Sequence, residues 1–310
     1  MSETSRKIKY INKVKLPVVR PCPCAVGHRS CGYIIISHIL GCLYNCSYCF
    51  LHTYYGKDEI VVLDNEPEIL RQLKEHMAET DQPLRYGTGQ YSDSLALPEA
   101  QAMAKTLVKL FARQDKHIFE IKTKSAAVDD LLTLDHKGKT VVAWSVNPQK
   151  IAEREELGAG SLGSRIAAAK KCIAAGYPVG FHFDPIIHYD GWEKDYAEVV
   201  DMIFETVPAD KIAWISLGAL RFPPELKRII SDKFPGSRLM DHEFEQAEDG
   251  KLRYALPVRL ELFNTLYQLI RQRSNTVLVY LCMETSALWQ LTGLMLTGPY
   301  TKYFGLHLKK

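Results

Sequence analysis

Cys42, Cys46 and Cys49 fall at C-x3-C-x2-C spacing inside Gly41-Cys42-Leu43-Tyr44-Asn45-Cys46-Ser47-Tyr48-Cys49-Phe50, just after the apolar run Tyr33-Ile34-Ile35-Ile36. Three thiolates on one short loop can converge on one metal centre. Thiolate-only ligation favours zinc or an iron–sulfur cluster over magnesium or calcium. A structural zinc site takes four protein ligands, as does a cluster ligated wholly by protein. Three cysteines with no fourth close by therefore point to a [4Fe–4S] cube with one iron left open to a small molecule. A zinc loop is the competing reading.

A second group lies upstream in Pro21-Cys22-Pro23-Cys24-Ala25-Val26-Gly27-His28-Arg29-Ser30-Cys31. Cys22, Cys24 and Cys31 with His28 could hold another metal. The two prolines restrict the loop, which suits ligands and suits a plain rigid turn equally well. Cys172 and Cys282 read as small buried hydrophobes.

Eight cysteines in 310 residues, clustered at short spacings, are not a secreted disulfide framework. They indicate metal ligands in a reducing compartment, hence a cytoplasmic protein. The N-terminus has no apolar signal core, and no apolar run of about 18 residues offers a membrane span. A net charge of +3 neither demands nor excludes a nucleic-acid partner. The first twenty residues carry Arg6, Lys7, Lys9, Lys13, Lys15 and Arg20 against Glu3 alone. Such an arm can lie along phosphates or simply be a solvated tail.

The elements that must position these groups alternate. Short β-branched runs at 33–38, 83–88, 117–122, 140–146, 178–183 and 212–217 predict strands. Amphipathic stretches at 66–80, 97–113, 147–155 with 161–175, 193–206 and 224–233 predict helices, with Leu70, Leu73 and Met77 on one buried face. That alternation implies right-handed βαβ units and a parallel sheet. After residue 234 the texture changes. Residues 240–256 read as an acidic surface excursion, followed by a helix through Leu260, Phe263, Leu266 and Ile270, a strand over 275–283 and a last helix over 286–295. The division expected is 1–32 as basic arm and cysteine loop, 33–236 as an α/β barrel unit, and 237–310 as an extension packed on it.

The cysteine loop with its aromatic before the last Cys resembles the radical S-adenosylmethionine (SAM) enzymes. Arg85-Tyr86-Gly87-Thr88-Gly89-Gln90-Tyr91-Ser92-Asp93-Ser94, Lys122-Thr123-Lys124-Ser125, Trp144-Ser145-Val146-Asn147 and 175–181 follow in the order seen in the spore photoproduct lyase family, with Gly191-Trp192-Glu193 after them. The resemblance runs from about residue 31 to 236 and more loosely to 295. It implies an α/β fold, a partial (β/α)6 barrel with its site at the C-terminal strand ends. It also implies a [4Fe–4S] cluster on Cys42, Cys46 and Cys49, SAM on the open iron, and a reductant such as flavodoxin or ferredoxin. In that family a 5′-deoxyadenosyl radical abstracts hydrogen from a methylene-bridged thymine dimer in DNA.

Carried over residue by residue, Gly87, Gly89 and Ser92 of the 85–94 segment, Lys124 and Ser145 become SAM contacts, with Tyr48 beside them, and Asp184 is a candidate for the SAM ribose or the substrate. A lysine and a serine suit SAM's carboxylate as point cation and hydroxyl donor. His182 and Asp184 share one strand face, with His188 nearby, and Asp184 stands where the family has a small residue. Arg221, Arg253 and Tyr254 match segments that contact the lesion. Two departures stand out. Gln90 replaces the family's hydrogen-donating cysteine, and Phe50 replaces the tyrosine after the last cluster cysteine. Neither side chain offers a weak S–H or phenolic O–H bond. Tyr48, Tyr91 or one of Cys22, Cys24 and Cys31 are the candidate catalytic substitutes. The substrate stays open between the thymine dimer and another molecule.

Overall fold

The computed structural model describes residues 6–294 apart from 14, 16, 26 and 55–58. Eight strands form the central sheet: β1 (Val19–Pro21), β2 (Tyr33–Ile36), β3 (Arg85–Gly87), β4 (Ile118–Thr123), β5 (Thr140–Ser145), β6 (Val179–Ile186), β7 (Ile212–Ala219) and β8 (Val279–Leu281). Their order across the sheet is their order along the chain. β2 to β8 are parallel, and β1 alone runs antiparallel, beside β2.

Parallel neighbours need long crossovers, and the amphipathic segments supply most of them. These are α1 (Glu66–Ala78), α2 (Pro98–Phe111), α3 (Leu162–Ala174), α4 (Trp192–Thr206) and α5 (Leu256–Arg273). α2 packs on β4, α3 on β5 and β6, and α5 on β7. β5 and β7 are buried along their whole length, as strands of a sheet covered on both faces are. The six expected strands coincide with β2 to β7, so the fold is the α/β partial barrel. Among the described residues no helix is long and apolar enough to cross a membrane.

Three expectations change. The extension does not merely pack on the barrel: its strand joins the sheet as β8, pairing with β7 through Ile215–Val279, Ser216–Tyr280 and Leu217–Leu281. That pairing satisfies backbone groups that β7 would otherwise leave as an open edge. Residues 240–256 keep Asp241, Glu243, Glu245 and Glu248 exposed, as expected of an acidic surface excursion, but they also form strands. Phe244–Gln246 and Leu252–Tyr254 pair with each other and, through the second, with Arg221–Phe222. Runs of three residues are too short for periodicity to reveal. The arm is not simply a tail, because Lys7–Ile11 forms a parallel strand against Glu59–Leu63. The last helix is seen over Ser286–Leu291, and residues 295–310 lie outside the described residues.

Candidate active site at the strand ends

Beyond the C-terminal ends of the parallel strands lies a cavity of about 450 Å³. Its wall is assembled strand by strand, as in barrel enzymes. The β2 loop brings Cys42, Cys46 and Cys49. The β3 loop brings Gly89 to Asp93, β4 brings Lys122 to Lys124, and β5 brings Ser145. β6 adds Asp184, and Arg221 and Cys282 follow β7 and β8. A larger groove of about 880 Å³ between α1 and α2 contains none of these motif residues.

The cysteine loop is held at both ends. Gly41 sits at φ 103° and its N–H donates to the Tyr91 carbonyl at 2.9 Å. A Cβ there would lie 3.1 Å from the Glu59 carbonyl oxygen, so only glycine enters this turn without strain. The Arg6 guanidinium donates to the Cys42 carbonyl and, at 3.0 Å, to Asn45 Oδ1. Cys46 bridges to Glu156, and Ser47 donates from its N–H (2.8 Å) and hydroxyl (2.5 Å) to Glu155.

The three thiols fit a cluster better than a single ion. They line one cavity, yet among the described residues no three His, Cys, Asp or Glu side chains converge on one ion position. A cube takes each thiolate on a different iron, and this donor set leaves the fourth iron without a protein ligand. Burial pushes the Cys42 thiol up to about 12 and raises Cys46 and Cys49, while Lys124 acts against that on the latter two. Thiols of this kind ionise when a metal replaces the proton.

A buried carboxylate, Glu156, organises the wall around Tyr48, Lys124 and Ser145. It accepts from the Tyr48 hydroxyl and from Asn147 Nδ2 at 3.0 Å, and pairs with Arg165 at 2.5 Å. Arg165 also donates to the Ser145 carbonyl at 2.8 Å, which fixes the end of β5. The Lys124 ammonium stands 5.7 Å from the Tyr48 ring centre. Burial would lower its pKa, but Glu156 and the neighbouring Cys46 raise it overall, so it stays a cation. Asp93 ties the β3 loop to β4, accepting from Thr123 Oγ1 (2.7 Å), Leu95 N–H (2.9 Å) and Lys124 N–H (2.6 Å). Ser92 and Gly89 face the cavity. Gly87 does not: a Cβ there would strike the Tyr33 hydroxyl at 2.2 Å, so this glycine serves strand packing.

On the remaining wall Gln90, Tyr91 and Phe50 face the cavity. Tyr91 packs edge-on against Phe50 (6.3 Å) beneath the Arg20 guanidinium (5.4 Å). Asp184 is paired with Arg221 at 2.9 and 3.3 Å. Burial would raise its pKa, but Arg221 and Lys122 hold it at about 2. His182 shares its strand face but is buried between Ser216 Oγ (2.5 Å) and Glu120 (2.7 Å). His188, Arg253 and Tyr254 do not line the cavity; Arg253 is buried against Asp249 (2.8 Å), and the Tyr254 hydroxyl accepts the His188 N–H at 3.2 Å. Cys22, Cys24, Cys31 and Cys282 all line it. His28 does not line the cavity beside these cysteines and is instead hydrogen-bonded with Arg253 Nη2 at 3.2 Å.

Sequence reasoning missed Asp93, Glu156, Arg6 and Lys251. Asp93 was legible as a carboxylate next to the strand-end motif. The other three reach the site only through contacts distant in sequence.

The half-barrel, the three-thiol loop after its first parallel strand and the cysteine-lined cavity at its strand ends define the radical SAM class. The family model described as "Spore photoproduct lyase" matches residues 26–265. The chain belongs to the spore photoproduct lyase family. It is 32% identical over 216 residues to spore photoproduct lyase of Bacillus subtilis (strain 168), covering 68% of this chain and 63% of that protein. It is 30% identical over 203 residues to the Geobacillus sp. (strain Y412MC61) protein, covering 64% and 60%. The match thus spans somewhat under two thirds of these relatives' length. A solved spore photoproduct lyase complexed with dinucleoside spore photoproduct superposes with TM-score 0.77 at 25% identity, covering 88% of this chain and 81% of that one.

Proposed function

We propose that this chain is a radical SAM enzyme that binds one [4Fe–4S] cluster on Cys42, Cys46 and Cys49 and acts on a thymine photodimer in DNA. The observation carrying this reading is the single cavity that joins those thiols to Lys124 and Ser145 on one side and to a cationic wall on the other. When bound, cluster and SAM supply a 5′-deoxyadenosyl radical. Lys124 and Ser145 would orient SAM's carboxylate, with Ser92 and the Gly89 backbone beside it and Tyr48 closing the floor. Arg29, Lys122, Arg221 and Lys251 face the same space, and such groups suit the phosphates of an extruded lesion. The buried barrel below excludes water from a radical intermediate.

Hydrogen must return to the product radical. Gln90 cannot donate it, but Cys22, Cys31 and Cys282 border the cavity, and a thiol S–H is weak enough to do so. Electrons would come from a flavodoxin- or ferredoxin-like reductant. The eight cysteines are free, which suits a reducing, cytoplasmic setting.

The test mixes anaerobically reconstituted, reduced protein with SAM and DNA carrying the spore photoproduct, and follows thymine and 5′-deoxyadenosine by mass spectrometry. Both products support the reading. 5′-Deoxyadenosine without restored thymine would favour a second reading, a radical SAM enzyme for another substrate, to which Gln90 and Phe50 point. Neither product would overturn both.

A further inference from the structure

We propose that Cys22 and Cys24 form a redox-active dithiol that closes reversibly to a disulfide by exchange with a low-molecular-weight disulfide. The Cys24 N–H donates to the Cys22 carbonyl at 2.8 Å across Pro23. This is the three-residue γ-turn, whose central φ near −75° proline supplies by its ring. Two α-carbon steps of about 3.8 Å reach about 7 Å when extended, and the turn shortens that toward the 4.4–6.8 Å a disulfide spans, about 5.5–6 Å being commonest. Tyr33 pins the turn, its carbonyl accepting the Cys22 N–H at 2.9 Å.

The pair is chemically differentiated. A hydrogen bond from Cys22, with help from Arg221 and Lys251, lowers Cys24 to about 6, whereas Cys22 is raised by that same bond and by burial. A thiolate beside a protonated thiol is the arrangement that attacks disulfides. The other cavity thiols are engaged elsewhere: Cys31 accepts from Arg85 at 3.0 Å, and Cys282 from Arg221 at 3.7 Å.

The exchange balances. The Cys24 thiolate attacks the small disulfide, forming a mixed disulfide and expelling one small thiolate. Cys22 gives its proton to solvent, attacks Cys24 and expels the second. The pair is oxidised by two electrons and the small disulfide is reduced to two thiols. The inference stands apart from the DNA reading, because it requires neither SAM nor a lesion.

The test equilibrates the full-length, cluster-reconstituted protein in glutathione buffers of rising oxidised fraction, then acid-quenches, alkylates and digests with trypsin. Peptide 16–29 contains Cys22 and Cys24 and no other cysteine. It should lose both alkylation sites together, with one disulfide formed, and Cys22→Ser should instead trap glutathione on Cys24. Retention of both alkylation sites throughout, or crosslinks from Cys24 to Cys31 or Cys282, would overturn the proposal. Should Cys22→Ser not fold, the wild-type titration decides alone.

Discussion

The Tyr48 hydroxyl donates to the buried carboxylate of Glu156, a residue 108 positions away in sequence. That bond fixes the phenol at the edge of the cavity, which Tyr48 also lines. Tyr48→Phe should cost about 1–2 kcal/mol of stability in denaturant melts. It should leave 5′-deoxyadenosine formation within a few-fold of wild type, and a loss beyond a hundredfold would instead make the phenol a hydrogen donor.

Removing Glu156 is a different matter. Glu156→Ala strands Arg165 and the Lys124 ammonium without their buried anion. Breaking such a pair costs about 3–5 kcal/mol, so the variant should melt early and bind SAM weakly. Equilibrium dialysis and thermal scans check the two effects separately.

Arg6 grips the carbonyl of Cys42 and the side chain of Asn45. Reducing a cluster adds negative charge, which a nearby cation stabilises. Arg6→Gln should keep full iron and sulfide but shift the cluster potential negative in an EPR-monitored redox titration. An unchanged potential would confine Arg6 to a mechanical role.

Asp184 and His182 are two of the buried groups that shape the acid limb of stability. Beside them stand Glu120, whose carboxyl burial would raise but Arg85 and His182 hold at about 2, and His38, which burial holds down to about 4. Asp184 has a folded pKa of about 2, below its ordinary value of about 3.9, so its contribution is complete above about pH 5 and lost as pH falls through 2. Its size is about 2–3 kcal/mol. His182 is held down to about 4 by burial, with Lys122 adding to the effect. Its folded pKa is also depressed, so its neutral form supports the fold above pH 6.5 and the support is lost between about 6.5 and 4. Asp184→Asn should shrink the lower step and leave the one between about pH 6.5 and 4 unchanged, in urea melts taken across pH.

Gln90 stands in the cavity where the resemblance places a donor cysteine. Gln90→Cys alone should change the product little if the Cys22 thiol already returns hydrogen. In a Cys22→Ala, Cys24→Ala background it should restore clean product at least tenfold. No rescue would move the donor elsewhere.

Much of this architecture is local information. The C-x3-C-x2-C spacing, the apolar run before it and the alternation of β-branched and amphipathic segments identify the cysteine loop and strands β2 to β7, because each pattern lies within a few adjacent residues. What the sequence could not display is contact between residues far apart in it. Glu156 reaches Tyr48, Arg6 reaches the cysteine loop, and Arg221 pairs with Asp184 only once the strands are parallel and in register. The same applies to the cavity thiols: Cys22, Cys24, Cys31 and Cys282 read as two unrelated groups until β1, β2 and β8 bring them to one wall. Side-chain chemistry and short-range period are written in the chain. Charge pairing, burial and the sharing of one cavity depend on distance in space, and that is decided only when the sheet closes around its core.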